Sequence, residues 1–244
     1  MGLNGIRPGW PAPDCVHALV TTRAGGVSVA PYDSLNLGVH VGDDPARVAE
    51  NRRRLRALLP EEPCWLNQVH GTTVLDADMW VGGLPDADAV VSRRSGRVCV
   101  VMTADCLPVL LCDDAGTVVG AAHAGWRGLH GGVLEATVAA MAVPPSTLMA
   151  WLGPAIGPAA FEVGDEVRQA FVGQDPRAAG AFQTTQQPGK WMADLYALAR
   201  FRLEALGVVR VHGGEFCTHA DATRFYSYRR DGVTGRMASL IWLD

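Results

Sequence analysis

Between residues 64 and 124 the chain carries six short apolar segments in close succession, and that succession limits the folds open to it. They read "CWLNQVHG", "TVLDA", "ADAVVS", "VCVVMTADC", "PVLLCD" and "TVVGAAHAG". Their length, their β-branched content and the Gly, Pro or Asp around them favour strands over helices. "VHALVTT" at residues 16–22, "TLMAWLG", "VVRVHGG" and "MASLIWL" extend the same pattern. Helices are expected between these runs. The clearest is "GDDPARVAENRRRLRALL", where Asp43 or Asp44 can cap, Pro45 suits the first turn, and Val48, Leu55, Leu58 and Leu59 share a face. "LHGGVLEATVAAM" (129–141), "VGDEVRQAFV" and "MADLYALARFRLEALG" read as further helices, the last closed by Gly207. No repeat of 20–50 residues and no low-complexity linker divides the chain. The expectation is a single α/β (α+β) domain over residues 1–244, with a mixed β-sheet covered by helices.

With 48% apolar residues in 244, a sizeable core is available, and the net charge of −4 offers no electrostatic case for nucleic acid. No apolar run approaches the roughly 20 residues that span a bilayer, and "MGLNGIRPGWPAPD" has Pro and Gly where a signal peptide is apolar. Cys15, Cys64, Cys99, Cys106, Cys112 and Cys217 form no CxxC pair, so reduced thiols and a cytoplasmic location are expected.

Three polar residues sit where predicted strands end in small or turn residues: His70 in "NQVHG", Cys106 in "TADCLP" and His123 in "AAHAGW". Two imidazoles and a thiolate make a donor set that suits zinc and is also open to copper. Three ligands leave a fourth position for water or substrate, the catalytic arrangement. Intervals of 36 and 17 residues match no local zinc motif, so any such set converges only through the fold. Two other readings compete. Cys106 can be a buried core thiol, as Cys99 and Cys112 are expected to be, or a nucleophile with a histidine as its base. Asp105 can orient a histidine in either scheme. His40 and His130 are expected to face solvent.

Anion-binding candidates are arginines, because Lys190 is the only lysine; arginine abundance alone therefore says nothing about anions. Arg23 in "TTRAGG" stands against two glycines, and "FYSYRRDGVTGRM" gathers Arg229, Arg230 and Arg236 among aromatics. A planar guanidinium suits phosphate or carboxylate. Arg127, four residues past His123, can line the same pocket.

"TTRAGGVS", "NQVHG", "DADAVVS", "TADCLPVLL", "AAHAGWRGL", "GPAIGPAAFEVG" and "FYSYRRDGVTGRMASLI" together resemble the bacterial multicopper polyphenol oxidase (laccase-domain) family. Its members are also named peptidoglycan editing factor and zinc-dependent purine nucleoside phosphorylase. The likeness runs from about residue 15 to the C-terminus; Cys217 and Thr218 follow its pattern, and His219 receives no role. It implies His70, Cys106 and His123 as metal ligands, and a fold like the cytotoxic necrotizing factor catalytic domain. It implies phosphorolysis of adenosine, inosine and S-methyl-5′-thioadenosine and deamination of adenosine, with nucleoside and phosphate as the small-molecule partners. Arg23 and Arg229 are the residues expected to hold phosphate. Two alternatives stand beside it: removal of a misincorporated serine from a muramyl-nucleotide precursor, and copper-dependent polyphenol oxidation. The last asks for a multi-copper cluster, whereas the chain has seven histidines and no HxH pair.

Overall fold

The strands divide over two stacked sheets and a small third one. In this computed structural model, residues 5–244 are described; the first four residues, where the signal-peptide and domain readings begin, lie outside them. The first sheet has the order β1 (Gly5–Ile6), β2 (Val16–Thr21), β13 (Met237–Leu243) and β5 (Cys99–Thr103), antiparallel throughout. The second has the order β12 (Arg210–Gly213), β8 (Leu148–Leu152), β6 (Leu107–Asp113), β7 (Val119–Ala124), β4 (Ala89–Ser92) and β3 (Val74–Asp76). Its outer pairs are parallel and its inner ones antiparallel, which makes it a mixed sheet. The third pairs β9 (Glu162–Gly164), β11 (Lys190–Ala193) and β10 (Phe182–Thr184).

Alternation along the strands builds the layers. In β6, Leu110 and Cys112 join Val101 of β5, Ile241 of β13 and Trp151 of β8 in a core between the two large sheets. Leu107, Val109 and Leu111 of β6 point to the other face. There they meet Leu134 and Val138 of α3 (Val133–Met141), Phe171 of α4 (Asp165–Gln174) and Leu198 of α5 (Leu195–Ala205). Behind the first sheet, Val100, Leu240 and Leu35 pack against Leu55 of α1 (Pro45–Arg56). Sheets covered on both faces need apolar residues at consecutive positions, which is why β5 to β7 read as unbroken apolar runs.

Helix boundaries follow local chemistry. Asp44 caps α1 by accepting from the Ala46 N–H, while Asp43 instead binds Ser28 and Asn36. Leu58 lies past the end of α1 and is half exposed, so it does not share the buried face with Leu55. The helix expected over 129–141 is two, α2 (Trp126–Gly131) and α3, broken where Gly132 adopts φ +103°. Residues 64–71 form no continuous strand: Cys64 and Asn67 make only isolated bridges, to Cys99 and Asp86, and a side chain takes the next ladder position. The Gln68 amide donates to the Met102 carbonyl at 2.8 Å and accepts from the Met102 N–H at 2.7 Å. Gly207, at φ +90°, terminates α5 as expected.

Candidate metal centre and active site

Antiparallel register brings Cys106 and His123 together. Leu107 pairs with Ala124 and Pro108 with His123, so Cys106, one residue before β6, stands against Gly125 just past β7. A Cβ on Gly125 would lie 2.9 Å from Cys106 Sγ and 3.0 Å from His70 Cδ2. Only a residue without a side chain leaves room for the thiol and the second imidazole there.

His70 arrives from the loop before β3, with φ +60°. Asp88, fully buried just before β4, holds it in that unfavourable conformation. The Asp88 carboxylate accepts from the backbone N–H groups of Val69 (3.1 Å), His70 (2.9 Å) and Gly71 (2.7 Å). The same carboxylate accepts from His123 Nδ1 at 2.8 Å, and the Asp88 carbonyl accepts from the His123 N–H at 2.7 Å. One buried acid thus fixes the His70 loop and the His123 ring together. His70 Nε2 lies 3.8 Å from Cys106 Sγ, and the two imidazoles meet edge to face at 4.8 Å.

The donor atoms of His70, Cys106 and His123 all lie within 4.8 Å of one another, the one such group among the described residues. Burial pushes the Cys106 thiol up, but His123 and His70 outweigh it and bring it down to about 6. Burial likewise lowers His123, and the Cys106 thiolate with Asp88 lifts it to about 9. Burial raises the Asp88 carboxyl, while His123 and the Gly71 and Val69 amides hold it below its usual value. A thiol held low, plus a histidine whose Nδ1 is fixed by a carboxylate and whose other ring nitrogen faces that thiol, fits a borderline metal such as zinc.

These residues form part of the wall of a pocket of about 480 Å³, within the roughly 300–1,000 Å³ of small-molecule sites. Trp126, Phe161 and Tyr228 supply aromatic surface, Arg127, Arg229 and Arg236 supply cations, and His40 adds an imidazole. Arg127 lies over the Trp126 ring at 4.4 Å. Arg229, on the short helix α6 (Tyr228–Asp231), lies over Phe161 at 5.4 Å and donates through Nη1 to the Glu162 carbonyl.

Arg23 is not brought to this pocket. Its guanidinium donates to the Asp33 carbonyl and carboxylate and to the Ala222 carbonyl, and it covers the Tyr226 ring at 4.8 Å. The side chain braces two loops, so the expectation that it holds phosphate is corrected. Arg230 is likewise spent on Asp231 and three carbonyls. Asp105 orients no histidine: it accepts from Thr218 Oγ1 at 2.6 Å and from the Arg229 N–H at 2.7 Å, tying the Cys106 turn to α6. His40, although exposed, lines the pocket, whereas His130 packs edge-on against Phe171 at 5.4 Å.

With this geometry in place, the relatives can be read. A profile of the family described as multi-copper polyphenol oxidoreductase laccase matches residues 17–244. The chain belongs to that family. It is 60% identical to a Pseudomonas aeruginosa protein named purine nucleoside phosphorylase and 57% identical to purine nucleoside phosphorylase YfiH of Escherichia coli, with 98% of each chain covered in both comparisons. A crystal structure of a Neisseria meningitidis protein superposes with a TM-score of 0.96 at 57% identity, covering 99% of both chains. YlmD from Geobacillus stearothermophilus gives 0.89 at 33% identity, covering 98% of this chain and 96% of that one. Among its described residues the chain gathers a single three-residue donor group rather than the many histidines a multi-copper cluster needs. No helix among the described residues is long and apolar enough to cross a membrane.

Proposed function

We propose that this chain is a cytoplasmic, zinc-dependent purine nucleoside phosphorylase acting as one domain on adenosine, inosine and S-methyl-5′-thioadenosine, and that the same pocket deaminates adenosine. The observation that carries the proposal is the His70–Cys106–His123 group in the wall of a nucleoside-sized pocket bearing both aromatic rings and guanidinium groups. The relatives named purine nucleoside phosphorylase support the choice of reaction.

His70, Cys106 and His123 would hold the ion, which supplies Lewis acidity and lowers the pKa of a water towards about 7. The remaining work falls to the chain itself. Asp88 keeps the His123 tautomer and ring plane fixed. Trp126, Phe161 and Tyr228 offer apolar faces to a purine and exclude water from it. Arg127 and Arg229 contribute positive charge along the same wall. In phosphorolysis a phosphate oxygen bonds to C1′ while the C1′–N9 electron pair leaves on the base. The proton of hydrogen phosphate balances the one the base gains. Positive charge develops on the ribose during this step, so an anion held beside C1′ is what the pocket must supply. Incubating the zinc-loaded protein with inosine and phosphate is expected to yield hypoxanthine and ribose 1-phosphate. A fully metallated protein that forms neither, and instead releases serine from a muramyl precursor, would overturn the proposal.

A further inference from the structure

Arg236 and His40 reach the pocket from a junction that Asn36 builds. The Asn36 Oδ1 accepts from the N–H groups of Gly38 and Arg236, both at 2.9 Å, and the Leu37 N–H donates to the Arg236 carbonyl. A Cβ on Gly38 would stand 2.8 Å from Arg236 Cγ, so the glycine allows the arginine stem to lie flat on the loop. Arg52 closes the junction from behind, donating to the Leu37 carbonyl at 3.0 Å with its guanidinium 3.8 Å over Trp65.

Two guanidinium groups and an imidazole therefore meet here, and among the described residues none of them forms an ion pair. Arg236 uses Nη1 on the Thr234 and Gly235 carbonyls only. Burial lowers the pKa of Arg236 and brings Arg52 down to about 10. His40 is lowered by burial and by both guanidinium groups. Two half-buried guanidinium groups, balanced only in part by Glu62, Asp105 and Cys106, are relieved when an anion arrives. Arg127 and Arg229 differ: both are exposed, both rest on aromatic rings, and water screens what they offer a dianion. Arg236 and Cys106 line the same pocket, so an anion on the guanidinium would share that pocket with the donor group.

We propose that Arg236 and His40, backed by Arg52, form the pocket's subsite for a phosphate dianion. In the reaction proposed above, on which the identity of this anion rests, the dianion is inorganic phosphate. A guanidinium fork with an imidazole donor matches a tetrahedral oxyanion better than a point charge does.

The test uses zinc-loaded full chain and calorimetric titration with inorganic phosphate, in wild type, Arg236→Gln, His40→Gln, Gly38→Ala and Arg23→Lys. Zinc content and circular dichroism establish that each variant is folded. Arg236→Gln and His40→Gln are expected to weaken phosphate binding about tenfold or more, and to raise KM for phosphate with KM for inosine little changed. Gly38→Ala should weaken it by displacing Arg236, and Arg23→Lys, whose guanidinium is spent outside the pocket, should change it less than about twofold. Competition with inosine monophosphate separates the sources: a nucleotide that binds at Arg236 far more tightly than inorganic phosphate makes the occupant a substrate's phosphoryl group. Loss of phosphate binding in Arg236→Gln without any phosphorolysis in wild type would uphold the subsite and overturn the phosphorylase reading. Phosphorolysis with unchanged KM for phosphate in folded Arg236→Gln would overturn the subsite and leave that reading standing.

Discussion

Asp88 Oδ1 and His123 Nδ1 lie 2.8 Å apart, and the same carboxylate holds the backbone N–H groups of Val69, His70 and Gly71. Two of the three donor residues thus depend on one buried acid that touches no substrate. Asp88→Asn keeps the shape but removes the charge, and one of its amide faces is a donor where the carboxylate only accepted. Metal affinity is expected to fall by about 10–100-fold, as for other carboxylates behind a ligating histidine, with about 1–3 kcal/mol of stability lost. Zinc competition against a chromophoric chelator, with thermal melts of the metal-free form, checks both. Unchanged affinity would show that the acid serves only the loop.

Metal binding should release protons with a defined pH profile. A ligand set needs Cys106 as thiolate and His123 as neutral imidazole. With Cys106 lowered to about 6 and His123 raised to about 9, the metal-free pair between those values is thiolate and imidazolium. Binding then expels about one proton from the pair, and the logarithm of apparent affinity rises by about one for each pH unit. Below about 6 the thiol is protonated too and the pair contributes a slope of about two; above about 9 it contributes none. Chelator competition from pH 5.5 to 9.5 measures the slope directly. A flat profile through neutrality would contradict the pairing.

Gly125→Ala should damage the centre without changing any donor. The added methyl would meet Cys106 Sγ at 2.9 Å and His70 Cδ2 at 3.0 Å, while the local φ of −60° accepts alanine. Overpacking costs about 1–3 kcal/mol, so zinc affinity is expected to drop at least about fivefold. Zinc titration of the two proteins side by side decides it.

Arg23→Lys is expected to leave KM for phosphate within about twofold of wild type, because its guanidinium is spent on Asp33 and Ala222. The cost appears in stability instead. Losing these partly exposed contacts costs about 1 kcal/mol, or a fall in Tm of about 2–4 °C for a chain of this size. A large rise in KM for phosphate with Tm unchanged would return Arg23 to the site.

The three donor residues were legible because their types and positions agree: polar, reactive side chains placed where apolar strands open into glycine or proline. Asp88 was not. An acid inside the segment "ADAVVS" reads as one polar residue of a strand, and only the fold shows that its carboxylate reaches back to residues 69–71 and across to His123. Residues 64–71 carry strand composition, but the Gln68 amide occupies the Met102 backbone groups in place of a ladder. Arg23 and Arg236 look alike in sequence, each beside glycine; packing separates them, one bracing loops and the other opening on the pocket. His40 was read as solvent-facing and is exposed, yet its exposure is to the pocket.

The most direct test of the central claim is a paired measurement on Cys106→Ala: zinc content per chain, and inosine phosphorolysis, from one preparation alongside wild type. If Cys106 is a metal ligand in a phosphorylase, wild type carries about one zinc per chain and turns over inosine with phosphate, and the variant loses both together. A low thiol pKa would serve a nucleophile equally well, so mass spectrometry of wild type during turnover belongs to the same experiment. A variant that keeps its zinc but loses activity, with a covalent adduct on Cys106 in wild type, would contradict the account.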